Sequence, residues 1–381
     1  MVNELKVASK TRFAYLDNVR SLVIFLVIAM HAAVTYSGMG GWYYKEGSPE
    51  RLSTPETILF GFFQSSLQAW FMGILFFISA FLATRALAKH GAFNFIKERL
   101  FRLGIPLLIY IFVINPFIMF ILLGYYSGNT LVENYIRYIV DFWWLSSSGP
   151  LWFVLVLLVF CIMYTMVKKC ILKPVKLNKV RSKNIIFTII LTGLTAFVVR
   201  LYFPIGTDYL NLQFCYFTSY IVLFIAGIII GESGLWENIT DGKNIKWFII
   251  TLLIAFPLWS AIMVFGGANE GKTYYNGGFH WQSLAFALWE SFIAISFSIG
   301  IIAFFKKWVN WDNKFTRLIR DNAFGIYCFH APILVAVSLV FKGLILNPLL
   351  KFILVAIISS VLCLLFSFLV RKIKPIEILY K

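Results

Sequence analysis

The chain has 381 residues, 60% of them hydrophobic and only 13% charged, and its mean hydropathy is +0.82. An ordinary soluble domain carries about a quarter charged residues, so this composition excludes soluble, disordered and nucleic-acid-binding classes together and places the chain in a membrane. The net charge of +17 reports topology before it reports any polyanionic partner, because Lys and Arg collect in the cytoplasmic loops of membrane proteins.

Crossing about 30 Å of hydrocarbon takes roughly 20 apolar residues. About ten such runs follow one another along the chain: 16–37, 57–87, 105–126, 150–168, 185–203, 212–231, 246–266, 280–305, 322–341 and 346–370. They are continuous runs and not ten-residue stretches of alternating polarity, which excludes a membrane β-barrel. The expected fold is all-α, a polytopic membrane helical bundle forming a single domain over 1–381, with no separate soluble domain. Its environment is lipid, and nothing in the sequence sets an oligomeric state.

The first run is too long for a signal peptide, carries Asp17 and Arg20 at its entrance and is followed by further spans, so it is expected to remain uncleaved. Basic residues then mark alternate loops: Lys89, Lys97, Arg99 and Arg102 in 88–103; Lys168, Lys169, Lys173, Lys176, Lys179, Arg181 and Lys183 in 168–184; Lys306, Lys307, Lys314, Arg317 and Arg320 in 305–321; and Arg371, Lys372, Lys374 and Lys381 in the tail. The intervening loops hold few, Lys45, Arg51, Arg137 and Lys272 among them. This asymmetry predicts that both termini are cytoplasmic. The opposite loops carry Trp42-Tyr43-Tyr44, Tyr125-Tyr126 and Trp143-Trp144, which read as aromatic girdles at the headgroups. Cys161, Cys170, Cys215, Cys328 and Cys363 fall in spans or at their cytoplasmic ends, where no exposed extracellular disulfide forms.

Ionisable residues inside spans are the informative ones, since each costs about 2.5 kcal/mol or more at mid-bilayer. In the first span Arg20 and His31 are eleven residues apart, a rise of about 16 Å and close to three whole turns, so they share one stripe of a helix. Asp17 lies a turn before Arg20 and Thr35 a turn beyond His31. The stripe thus runs from charge at the cytoplasmic end to a titratable imidazole near the outer leaflet. Arg200 closes the fifth span. Glu290 sits about 15 Å into the eighth, with Ser283, Ala287, Ala294 and Ser298 at helical offsets that leave room for a cavity or for close packing. A structural ion pair between Glu290 and Arg200 is the alternative to a catalytic carboxylate. His330 stands in the ninth span with Tyr327 one turn earlier, within reach of the same site; a satisfied structural histidine is the alternative there. His90 lies in a cytoplasmic loop and His280 at an outer boundary, and both read as bland.

No phosphate-binding glycine loop, His-Glu-x-x-His helix, nucleophile elbow or cysteine-histidine metal cluster is present, so no metal site and no prosthetic group is expected. A titratable histidine deep in a bundle suits removal of a proton from a hydroxyl. A proton-coupled exporter of a sugar or acylated glycan is the rival reading of the same intramembrane Glu, Arg and His.

The order of motifs resembles the acyltransferase-3 family of integral-membrane acyltransferases, in its glucan-modifying, succinyl-transferring branch, over nearly the whole chain. The similar segments are Phe13-Ala14-Tyr15-Leu16-Asp17-Asn18-Val19-Arg20 with His31, Ala69-Trp70-Phe71-Met72-Gly73, Ser79-Ala80-Phe81, Arg99-Leu100-Phe101-Arg102-Leu103-Gly104-Ile105-Pro106, Gly149-Pro150-Leu151-Trp152-Phe153, Arg200 before Pro204, Trp289-Glu290-Ser291, and Tyr327 with His330-Ala331-Pro332. Ala80 stands where the family pattern has Gly. The resemblance implies transfer of an acetyl- or succinyl-type group from cytoplasmic acyl-CoA to a hydroxyl of an extracytoplasmic glycan or glycolipid, in a bacterial inner membrane. It implies His31 and Glu290 as catalytic residues, Arg20 and Asp17 at the CoA donor, and Arg200, Tyr327, His330 and Trp152 as substrate contacts.

Overall fold

The computed structural model describes residues 13–125, 130–170 and 177–373. Tyr126, Lys173, Lys176, Lys374 and Lys381 of the sequence reading lie outside them. The helices, in chain order, are α1 (Ala14–Ser37), α2 (Thr54–Arg99), α3 (Ile105–Ile109), α4 (Leu131–Val140), α5 (Trp152–Cys170), α6 (Ser182–Arg200), α7 (Phe217–Ser233), α8 (Trp236–Ile239), α9 (Ile245–Phe265), α10 (Trp281–Trp308), α11 (Lys314–Val340) and α12 (Pro348–Arg371). Among the described residues nine helical units are long and apolar enough to cross a membrane, and no β-strand is formed.

One of those units, Thr54–Leu122, has 69 residues and contains two of the predicted spans. A straight helix of that length would reach about 100 Å, three times the hydrocarbon thickness. The chain breaks its direction at Gly91, whose φ of 74° and ψ of 166° are open to glycine alone. The predicted loop 88–103 is therefore largely helical, and the following segment winds in wide π-type turns through Pro106 and Pro116 to Leu122. Elsewhere the ends follow ordinary capping chemistry. Glu56 accepts from the Ser53 backbone N–H at 2.7 Å to start α2, and the Asn347 side chain accepts from the amides of Leu349 and Leu350 to start α12.

Helix α1 is the inner element, packed against α2, α10, α11 and α12, while α10 also packs against α6 and α9. Its burial follows from composition: Val19, Val23, Val27, Ile28, Ala32 and Ala33 are all sealed from the surface. Hydrogen bonds sort the connecting segments into two sets. On one face Asn18 donates to the carbonyls of Val309 and Trp311, the Trp236 indole donates to Tyr15, the Val180 amide donates to Asn238, and Lys306 pairs with Glu237. On the other, Lys351 pairs with Glu46, Asn347 donates to Glu56, Asn211 donates to Ser148 and Gly149, and the Ile205 amide donates to Asn276. These are the same two sets that the charge asymmetry separates. We refer to them as the basic face and the Trp42 face.

Candidate active site

The Trp42 face is built by a strand of chain that doubles back over the end of α1. Gly38 ends the helix in the left-handed region, at φ 73°, a position that favours glycine. The amides of Glu46 and Gly47 then donate to the Thr35 carbonyl, at 2.8 and 3.0 Å. Gly47 passes so close that a Cβ would lie 1.9 Å from the Tyr36 carbonyl oxygen, so no larger residue fits. Lys351, buried to 3% exposure, holds the return segment by pairing with Glu46 while it donates to the Leu344 carbonyl at 2.9 Å. The outcome is that the Trp42 indole lies flat on the His31 ring, with centroids 3.8 Å apart and planes 13° from parallel. The sequence reading of Trp42 as a headgroup anchor is thereby corrected. The glycines at 38, 40, 41 and 47 were the available sign that this loop folds inward.

His330 joins the same group. Its ring lies 5.4 Å from His31 and 6.1 Å from Trp42, and all three planes agree within 14°. His330 is fully buried and its Nδ1 stands 2.6 Å from the Tyr327 carbonyl oxygen one turn earlier. A carbonyl can only accept, so Nδ1 carries the hydrogen and Nε2 of the neutral ring presents a lone pair. Tyr327 turns its hydroxyl the other way and donates it to the Pro150 carbonyl. It thus ties α11 to the Gly149-Pro150-Leu151-Trp152-Phe153 segment.

That segment is a packed corner. A Cβ on Gly149 would lie 2.4 Å from the Tyr43 hydroxyl and 2.8 Å from that of Tyr110. The two hydroxyls are 3.0 Å apart, and Tyr43 donates to Asn115. Trp152 is part of an aromatic cluster, 5.5 Å from the Tyr220 ring and 6.5 Å from Phe76, and has no ring contact with either histidine among the described residues. Tyr43, Tyr110 and Asn115 had carried no signal in the sequence, since an aromatic hydroxyl in a girdle and one in a core network look alike in one dimension.

Three buried polar atoms of the histidine group have no hydrogen-bond partner within the protein: Nδ1 of His31, Nε1 of Trp42 and Nε2 of His330. Buried polar groups are satisfied in the great majority of cases, so three such atoms in adjoining rings are an uncommon concentration. His31 is half-buried, whereas His330 is sealed.

Glu290 and Arg200 occupy a different part of the bundle. They form a buried ion pair between α10 and α6, with residue exposures of 5% and 1%. The guanidinium also lies 5.8 Å from the Tyr216 and Phe286 ring centres, within cation–π range. A cavity of about 10 Å³, bounded by Gln68, Ser219, Tyr216 and Tyr220, adjoins the pair, room for about one water molecule. No hydrogen bond or ion pair joins Glu290 to His31 or His330 among the described residues. A second, almost wholly apolar cavity of about 170 Å³ is lined by Phe77, Val180, Ile185, Leu223, Ile295 and Ile299, and it shares no residue with either polar group.

At the basic face Arg20 is 46% exposed and lies 3.5 Å from Asp17, itself mostly buried. Arg20 and His31 therefore occupy opposite ends of one helix, as their spacing requires. Ile24 and Val27, which lie on the stripe between them, are 8% and 3% exposed, so the stripe is packed in this conformation. Among the described residues no three His, Cys, Asp or Glu side chains converge as a metal site needs.

A bundle of long apolar helices around an inner helix that bears an exposed cation at one end and a half-buried imidazole at the other defines a multi-pass integral membrane protein. The family model described as an acyltransferase domain matches residues 13–372, and the chain belongs to the acyltransferase-3 family. It is a membrane acyltransferase. No curated protein and no solved structure matches it.

Proposed function

We propose that the protein transfers an acetyl- or succinyl-type group from cytoplasmic acyl-CoA to a hydroxyl of a glycan or glycolipid on the outer side of a bacterial inner membrane. The observation that carries this reading is the polarity of α1, which offers Arg20 to the basic face and a half-buried His31 to the opposite one. Arg20, oriented by Asp17, suits the phosphates of a CoA donor. His31 suits general-base work: its Nε2 takes the acceptor O–H proton as the oxygen attacks the thioester carbonyl, the C–S bond breaks, and the imidazolium returns the proton to the departing thiolate. The donor's pantetheine arm has to reach His31 past Ile24 and Val27, so α1 and its neighbours must part to admit it. Trp42 covers one face of His31 and holds the ring in place. Arg200 and Glu290 act as each other's counter-ions and join α6 to α10, and Tyr327 and Trp152 shape the wall of the acceptor side.

The test is transfer of a radiolabelled acyl group from acetyl-CoA or succinyl-CoA to an envelope glycolipid extract by the purified protein in detergent. Label should move to the extract, because transfer needs no sealed bilayer. A protein that moves label only across intact vesicles, and never onto an acceptor in detergent, would instead be an exporter.

A further inference from the structure

The three centroid separations among His31, Trp42 and His330 (3.8, 5.4 and 6.1 Å) meet at close to a right angle at His31. Trp42 covers one His31 face, and His330 lies to the side of that stack with its plane within 14° of the His31 plane. Rings with centroids 5.4 Å apart are near enough that a turn of one can bring a nitrogen of each into hydrogen-bonding range. Each ring has one buried nitrogen without a partner, Nδ1 of His31 and Nε2 of His330, and their chemistry is complementary. His330 Nε2 is fixed as an acceptor by the bond from Nδ1–H to the Tyr327 carbonyl. His31 must carry hydrogen on Nδ1 if Nε2 is to receive a proton from a hydroxyl.

From these observations, and resting on the reading of His31 as the base, we infer that His330 is the positioning residue of the reaction. A modest turn of the His31 ring, along a torsion that is soft for imidazoles, closes a relay: acceptor hydroxyl to His31 Nε2, His31 Nδ1–H to His330 Nε2, and His330 Nδ1–H to the Tyr327 carbonyl. The relay fixes the His31 tautomer and supports its imidazolium once the proton arrives. A backbone carbonyl occupies the terminal place that a carboxylate takes in a serine hydrolase triad. No proton moves beyond His31, so the step balances within the acceptor, His31 and the thiolate.

The experiment compares three variants in single-turnover transfer from whichever acyl-CoA supports turnover. His330→Leu removes the acceptor and should lower kcat about ten- to a hundredfold, the size of a hydrogen bond to a charged group, with donor KM unchanged. His330→Gln, whose amide oxygen can stand where Nε2 stood, should recover most of kcat. His330→Asn, too short to reach that point, should not; the Gln and Asn pair keeps the test decisive even where the Leu variant does not fold. Full kcat in His330→Leu, or Gln no better than Asn, overturns the relay. His31→Ala is the control that separates the two readings. If it retains full transfer, the base assignment itself fails, whereas an inactive His31→Ala beside a fully active His330→Leu sinks only the relay.

Discussion

Two groups of ionisable residues lie inside the bundle, and they are built in opposite ways. Arg200 and Glu290 neutralise each other, and the aromatic rings of Tyr216 and Phe286 face the guanidinium. His31 and His330 carry no opposing charge, and each keeps a buried nitrogen without a partner. Both arrangements bear the expense of polar atoms in hydrocarbon. In the first the charges cancel across α6 and α10, although Nε and Nη1 of Arg200 find no hydrogen-bond partner within the protein beside the water-sized cavity. In the second there is no counter-ion, and the two open nitrogens lie in adjoining rings, where each can serve the other. What separates the two groups is charge, cancelled within the first and absent from the second; we read the first as attachment and the second as the reaction centre.

The largest effect that would break this comparison is expected at His31. Replacing it with Ala removes proton abstraction, a loss of about 10²–10⁴-fold in rate, while detergent thermal unfolding should be close to that of the native chain. A slow variant that also unfolds early would put His31 with the attachment residues. Arg200→Met should show the converse: breaking one side of a buried pair costs about 3–5 kcal/mol, read as loss of folded protein from the membrane and a lowered unfolding temperature. The double variant Arg200→Met with Glu290→Leu should regain most of that stability, since apolar replacement of a whole buried pair is often neutral. A double variant that is stable and inactive would move Glu290 into the reaction centre.

Smaller effects sharpen the division along α1. Arg20→Ala should weaken CoA-ester binding about ten- to a hundredfold, the worth of a charge-assisted contact of about 1.5–3 kcal/mol, with kcat largely restored at saturating donor. Isothermal titration of the CoA ester measures it, and unchanged affinity would remove Arg20 from the donor site. Trp42→Ala should cost least, roughly two- to tenfold in kcat, matching an aromatic pair worth about 0.5–1.5 kcal/mol. A loss as large as that of His31→Ala would mean that the indole contacts the acceptor directly.

The fold was legible because lipid imposes it in one dimension. A span must be apolar over about 20 residues and helical to satisfy its own backbone, so the run of hydropathy gave the helices and the Lys/Arg asymmetry gave the two sets of loops. Departures occur where local chemistry permits continuation: residues 88–99 carry charges that read as a loop, yet they are good helix formers, and the turn is confined to Gly91. The Arg20 to His31 register was also legible, since eleven residues on a helix can end only on the same stripe.

What the sequence determined by itself, then, is whatever depends on spacing within one helix or on composition along it: the number and kind of spans, the alternation of their loops, and the two ends of α1. Only the tertiary structure decided which polar residues meet. Glu290 and Arg200 are 90 positions apart and join through the packing of α6 on α10. His31 and His330 come together because α11 lies along α1. Trp42 reaches His31 because two glycines and a buried Lys351 fold its loop inward. Hydropathy specifies how each segment partitions into lipid, but it is indifferent to which neighbours a segment finds there. That choice is made by side-chain shape, close backbone approach and the need of every buried polar atom for a partner.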